Sequence, residues 1–575
     1  MVPPRARLCG AGSVRAGSQT RPDRIVVSVA EAGSNTTTTY TYNANGLVTR
    51  ILAPAPTGVT CSDATADTTV GCRSLQLAYT PLTVSGATVT RLASISLSAP
   101  KVAGTPNVIA VAAYDYNASG QLADEYDPRV SPHLLTAYTY GSSNRLATLT
   151  PPGQAAWNFA YDSKSRLSTV SRTDSGGATA TSTVVYGVPF TGSSAPVEVG
   201  AAADATWAQT ADLPAQAVAV FPPSHQPSST SPSSVSSTDW PYASIDYLDV
   251  NGSQVDQAEY GAGAWQVDTT QYDGNGNVSW TLSAQNRDEA LAPTASTDTY
   301  VAGLATSAAR AKFLADTSVY SPQDPSLLTD TYVPTHAITL SDGSVIDGQD
   351  YTHTDYDQGA PGGATYDLQT TVTSTAYNDV TTTDTAFPDA RITTYGYAAV
   401  GSMATAGVTG WSLGEPTTTT VQMGAAPSSA DLTTTDVYDA QGRTIEHRLP
   451  ADSTAAGAHS QDTTYYTATG TGACVSAASA GLVCRTAPAS QPTSGAALPV
   501  TTLTYDQFGD VATAVETAGS TTRTTTDTYD SAGRITQQSK TISPALGQAL
   551  PAVTYTYGSS TGLPTSATTG TGSTA

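Results

Sequence analysis

The sequence predicts an all-β chain of stacked hairpins, with one short helix covering the sheet. Three observations carry this: a recurring Tyr-Asp-x-x-Gly phrase, the Thr/Val/Tyr alternation that leads into it, and thirty Tyr against six Phe in 575 residues. Tyr and Thr suit strands with one face buried and one wet. Paired rings at Tyr40/Tyr42, Tyr114/Tyr116, Tyr138/Tyr140, Tyr395/Tyr397 and Tyr555/Tyr557 share a strand face, because strand side chains alternate. Such an aromatic ladder reads as packing between neighbouring hairpins; a sugar-binding surface is the alternative.

The phrase is clearest at Tyr529-Asp530-Ser531-Ala532-Gly533-Arg534 and recurs with Tyr438 and Gly442, Tyr505 and Gly509, and Tyr272 and Gly276. Looser copies carry Tyr42 with Gly46, Tyr116 with Gly120, Tyr161 with Ser165, and Tyr140 with Asn144. Each reads as a hairpin: the Asp or Asn closes an Asx-turn, and Gly or Asn supplies the left-handed residue at the tip. A unit of this length cannot bury its apolar face alone, so units must stack.

These hairpins resemble the YD repeat of RHS-repeat proteins, which include bacterial polymorphic toxins, wall-associated proteins, insecticidal toxin-complex shells and animal teneurins. The matching stretches cover roughly two-thirds of the chain, and about ten copies make the likeness specific. The phrases around Tyr126-Asp127-Pro128-Arg129 and Leu149-Thr150-Pro151-Pro152-Gly153 look like inter-repeat turns of actinobacterial members. The resemblance implies strands that spiral into a hollow shell, which encloses and delivers a toxic C-terminal polypeptide. It also implies a C-terminal core and toxin tip, and neither motif is found. The Gly/Thr-rich ending at Ala575 therefore reads as a truncated fragment.

In chain order, residues 1–24 are expected to be a disordered start. Arg5, Arg7, Arg15, Arg21 and Arg24 accompany no apolar core, so the segment is not a secretory signal. Hairpins are expected over 25–190, a Pro/Ser-rich surface loop over 191–240, and hairpins again over 241–283. A helical insertion is expected over 284–318. Within it Val301, Leu304, Ala308, Ala311 and Leu314 form one helical stripe capped by Asp298. Hairpins with long loops and Thr runs fill 319–575.

Formal charge is 24 − 47 = −23, which repels phosphate backbones and argues against nucleic-acid binding. No apolar run is long enough for a membrane helix. A full-length form is expected to be secreted or held at the cell envelope. Of five cysteines, Cys61 with Cys72 and Cys474 with Cys484 lie close in sequence within small-residue loops. Two local disulfides suit an exported protein; a zinc site is the rival reading, without nearby His. Cys9 is left odd.

No cofactor and no catalytic residue is expected. Gly558-Ser559-Ser560-Thr561-Gly562 matches a nucleophile elbow but sits at a hairpin tip, not between strand and helix. Asp273–Asn277 opens like a calcium loop, yet Val278 and Ala284 stand where Gly and Glu are required. His353, Asp355 and Asp357 share a strand face and are the one metal-like cluster; a strand entering another Tyr-Asp turn is the plainer reading.

Overall fold

The computed structural model describes residues 26–30, 34, 36–292, 299–377, 390–424, 426–450 and 457–570. The expected disordered start, Cys9 and the Asp298 cap lie outside them.

Among the described residues the strands join into one 34-stranded antiparallel sheet. The chain is a meander: nearly every strand pairs with those before and after it in sequence. At one place the order is skipped. Strand Val345–Tyr356 pairs through its first half with His336–Thr339 and through its second half with Leu328–Tyr332. Threonine runs serve this sheet in pairs across strands, as in Thr139–Thr148 and Thr504–Thr513, with hydroxyls 2.6 Å apart. A β-branched side chain whose hydroxyl finds a cross-strand partner fits a wet sheet face.

Over much of its length the wall is one layer thick, and its strands are half-buried rather than alternately buried and exposed, as in Leu146–Thr150, Leu167–Thr173 and Val511–Ala518. The sheet coils back on its own beginning. Arg129 donates to the Ala532 carbonyl at 3.3 Å, and Ser531 Oγ donates to the Arg129 carbonyl at 2.6 Å, across 403 and 402 residues. Gly71 meets Ala477, and Gly153 meets Ser560 so closely that a Cβ there would lie 2.8 Å from its carbonyl oxygen. The contacts advance together along both stretches, which is the geometry of a spiral whose last turn lies against its first.

Two features correct the expectations. The segment 191–240 is not a surface loop throughout. Gln216–Phe221 forms a strand between Thr179–Tyr186 and Ser244–Leu248. Its Ala-Val-Ala-Val-Phe alternation puts Ala217, Ala219 and Phe221 into a core with Val197, Val199 and Trp240. The neighbouring Pro/Ser tract hid an ordinary strand pattern. The expected single helix is broken into Thr299–Gly303 and Ser307–Phe313. Thr306 is extended and its hydroxyl accepts from the Ala309 amide at 3.1 Å; a threonine favours such a cap over a helix interior. The stripe still does its work, since Val301, Ala311 and Leu314 are buried with Trp207, Leu282 and Ala290. Among the described residues the longest helix is the one before it, Ala284–Leu291, capped by Ser283.

Candidate functional site

Each hairpin is built by a tyrosine, a turn Asp or Asn and a residue of positive φ at the tip, and the fuller copies add an arginine. At the tyrosine the strand register slips by one residue, as at Tyr42, Tyr116, Tyr161, Tyr272, Tyr438, Tyr505 and Tyr529. The following Asp or Asn then folds the chain over. Asp530 Oδ1 accepts the amides of Ala532 and Arg534 at 2.9 and 3.0 Å. Asn43, Asn117, Asp162, Asp249, Asp273, Asp439 and Asp506 repeat the pattern. Amide donation favours the charged carboxylate: the Asn277 amide, with others around the turn, holds Asp273 below its ordinary value.

At the tip Gly46, Gly120, Gly276, Gly442, Gly509 and Gly533 all have φ between +72° and +94°, a region that costs an L-residue about 1–2 kcal/mol. Ser165 and Asn144 occupy the same conformation in the looser copies.

The tyrosines hold hairpin to hairpin. Tyr529 Oη donates to the Val511 carbonyl at 2.7 Å, Tyr505 to Val483 at 2.7 Å, Tyr557 to Ile535 at 2.8 Å and Tyr116 to Leu92 at 2.7 Å. Tyr272 reaches Gln254, Tyr438 reaches Pro416 and Tyr42 reaches Val26 in the same way. The acceptor lies on the preceding hairpin, so the ring packs and its hydroxyl ties one repeat to the last. A phenylalanine would supply only the first half, which accounts for the composition.

Arginine supplies a link that sequence reasoning missed. Arg166, Arg443 and Arg534 each pair with the turn carboxylate four residues back, at 2.7, 2.6 and 2.6 Å. Each also lies over the tyrosine ring of the next repeat: Tyr186 at 3.9 Å, Tyr465 at 4.1 Å and Tyr557 at 4.5 Å. The fixed Asp-x-x-x-Arg spacing was the available signal. One guanidinium thus neutralises its own turn and clamps its neighbour.

The seam where the spiral laps itself centres on Arg129. Its guanidinium pairs with Asp127 at 2.8 Å and lies 4.8 Å over the Phe508 ring. Arg73 reaches the Phe508 carbonyl at 3.5 Å, and a 260 Å³ cavity lies beside it between the two turns. Cys61 is bonded to Cys72 and Cys474 to Cys484, with Cα atoms 5.6 and 5.5 Å apart. Both bridges close loops near this seam, where Gly71 meets Ala477.

His353, Asp355 and Asp357 are not brought together. A register slip follows Asp355, and Asp357 lies past the strand end at φ +57°. Its carboxylate accepts the amides of Tyr366, Asp367 and Leu368. His353 Nδ1 instead meets Asp330 across the strands at 2.7 Å, and its Nε2 lies 3.4 Å from Asp355. No group of three metal-ligating side chains occurs among the described residues. Gly558–Gly562 links antiparallel strands Val553–Tyr557 and Pro564–Thr569, so it is a hairpin connection. No helix of the described residues is long and apolar enough to cross a membrane.

An open trough of 840 Å³ crosses one sheet face, with Trp157, Val170, Arg172, Ala180 and Ser182 among its lining. Trp157 is 38% exposed. Arg172, directly opposite in the strand pair, lies 5.1 Å over its ring and bonds Gln154 at 2.8 Å.

Compared with known proteins, the sequence matches no family model and no curated protein. Solved structures that match in part include a TcdB2–TccC3–Cdc42 crystal structure, at 12% identity and TM-score 0.23, and the Photorhabdus luminescens Tc holotoxin pore, at 13% and 0.25. Each alignment covers 91% of this chain but only 28% and 27% of those chains. The chain therefore spans little more than a quarter of their length, and at such scores the likeness carries no argument; the coiled all-β sheet stands on its own strand pairings.

Proposed function

We propose that this chain is a non-catalytic wall segment of a secreted or cell-surface RHS-type shell, which in a full-length form encloses and delivers a C-terminal toxin polypeptide. The observation that supports it most is the lapped single-layer sheet: consecutive hairpins coil until the residues around Ala532 rest on those around Arg129. The repeat chemistry is spent on wall building, since Tyr, Asp, Gly and Arg each have a structural task in successive hairpins. Electron microscopy of the purified chain should show a thin-walled coil around a cavity. A polypeptide encoded downstream, co-produced with it, should resist protease only in its presence; equal digestion with and without the chain defeats the reading. No hydrolase or nuclease activity is expected, and a turnover abolished by His353→Ala would contradict this.

The Trp157 trough favours a second reading, a carbohydrate-binding or adhesive surface. A half-exposed indole beside Arg172 and Gln154 offers a stacking face with hydrogen-bonding groups at its edge. The expected tyrosine ladders serve this less well, because one hydroxyl of the pairs at Tyr42, Tyr116, Tyr397 and Tyr557 is already engaged by backbone. Glycan-array binding lost in Trp157→Ala would support it; a blank array would remove it.

A further inference from the structure

Helices at 201–204, 284–291, 299–303 and 307–313 give the wall a second layer over strands Gln254–Gly261, Ala264–Tyr272 and Val278–Leu282. Under this cap lie Asp204 and Asp256, the most deeply buried carboxylates among the described residues. Asp256 accepts from Thr269 Oγ1 at 2.7 Å and from Gln209 Nε2 at 3.0 Å, and Gln209 Oε1 accepts from Trp207 Nε1 at 3.0 Å. Neither oxygen of Asp204 has a hydrogen-bond partner, and the Tyr247 hydroxyl, on the residue paired with Asp256 across the strands, also lacks one. Arg287, from helix Ala284–Leu291, lies 4.1 Å over the Trp207 ring with its Nε unpartnered.

A buried carboxylate without donors is tolerated as the neutral acid and costly as the anion. The one guanidinium whose charge acts on both carboxylates, Arg287, has its ion pair with Asp288 at 3.5 Å instead, so neither buried aspartate has a cation in contact to offset its charge. We propose that this cluster is a proton-operated latch: the helical cap is held on the sheet while the carboxylates keep their protons, and it loosens as they ionise.

The surrounding charges favour this direction. Burial, then the Asp256 charge, pushes Asp204 up to about 7, while Arg287 opposes the shift. Burial pushes Asp256 up to about 6 against the Thr269 and Gln209 hydrogen bonds. Glu198, ahead of the first helix, adds negative charge, and Asp288 draws on Arg287 at 3.5 Å. From the helix packed behind, Arg310 is spent on the Ala290 and Leu304 carbonyls, and Lys312 is exposed. Both folded values exceed the roughly 3.9 of an unfolded aspartate. The closed cap is therefore fully stabilised below about pH 4 and loses that stabilisation as pH rises through about 6 to 7.

Amide hydrogen exchange of the intact chain at pH 5 and pH 7.5, corrected for the intrinsic rate, tests the latch. Protection in 201–209 and 284–291 should fall tenfold or more at the higher pH, since each released proton changes the opening constant up to about tenfold per pH unit. Strands over 500–543 should not change. Asp204→Asn should weaken the pH dependence, keeping the cap better protected at pH 7.5 than in the parent and leaving only the part that Asp256 carries; if that variant does not fold, Asp256→Asn is read, with the same expectation. Protection independent of pH in the parent, or unchanged pH dependence in the variant, overturns the proposal.

Discussion

Replacing Tyr529 by phenylalanine removes one oxygen atom and leaves the ring, so it isolates the tie between successive hairpins. The hydroxyl donates to the Val511 carbonyl at 2.7 Å from a partly buried position. A hydrogen bond of this kind contributes about 0.5–1.5 kcal/mol net, and leaving a partly buried carbonyl short of a donor adds to the loss. A local destabilisation of about 1–2 kcal/mol follows, which is a factor of roughly 5–30 in the opening equilibrium. Global melting is the wrong assay, because a repeat array opens unit by unit. Native-state hydrogen exchange over strands Val511–Ala518 and Thr521–Tyr529 reads the local step directly. Tyr161→Phe is the control: its ring lies under Arg145, but its hydroxyl makes no such bond among the described residues. Protection that falls equally in both variants, or in neither, would refute the tie.

Gly533→Ala should cost about 1–2 kcal/mol, because φ is +80° there and an L-residue is strained; Gly274→Ala, in open space without positive φ, should cost a few tenths at most, and chemical denaturation compares them. Arg129→Ala should open the seam, leaving Phe508 and Ala532 without their partner, so amide-exchange protection around 506–510 and 530–534 should fall below that of the parent. Non-reducing peptide mapping of exported protein should recover Cys61 with Cys72 and Cys474 with Cys484; four free thiols would contradict it. Equilibrium dialysis should find no stoichiometric divalent metal that is lost on His353→Ala, since Asp357 is already committed to three amides.

The tyrosine hydroxyls and the arginine clamps show why a repeat this weak in sequence is stable in space. Each hairpin is too small to hold its own core, yet its Tyr bonds the unit before it and, in the fuller copies, its Arg holds the ring of the unit after. A copy lacking the turn Asp and the tip Gly, such as the one at Tyr140, survives because neighbours on both sides constrain it.

The hairpins were legible in the sequence because their information is local. An Asp that must meet the amides two and four residues on, and a glycine that must take positive φ, leave fixed spacings in a short window. The all-β class follows from many such windows, with Thr and Tyr filling the strands between. What the tertiary structure decided is everything that depends on distant residues. Asp204 and Asp256 look like ordinary surface aspartates in sequence; helices and strands from separate stretches bury them together. His353 was grouped with Asp357 by spacing, but a register slip and a cross-strand neighbour gave it Asp330 instead. The strand Gln216–Phe221 was masked by the prolines beside it, and pairing on both edges revealed it. The seam between Arg129 and Ala532 has no sequence signature at all, because the accumulated twist and coil of the strands between them set where the spiral returns.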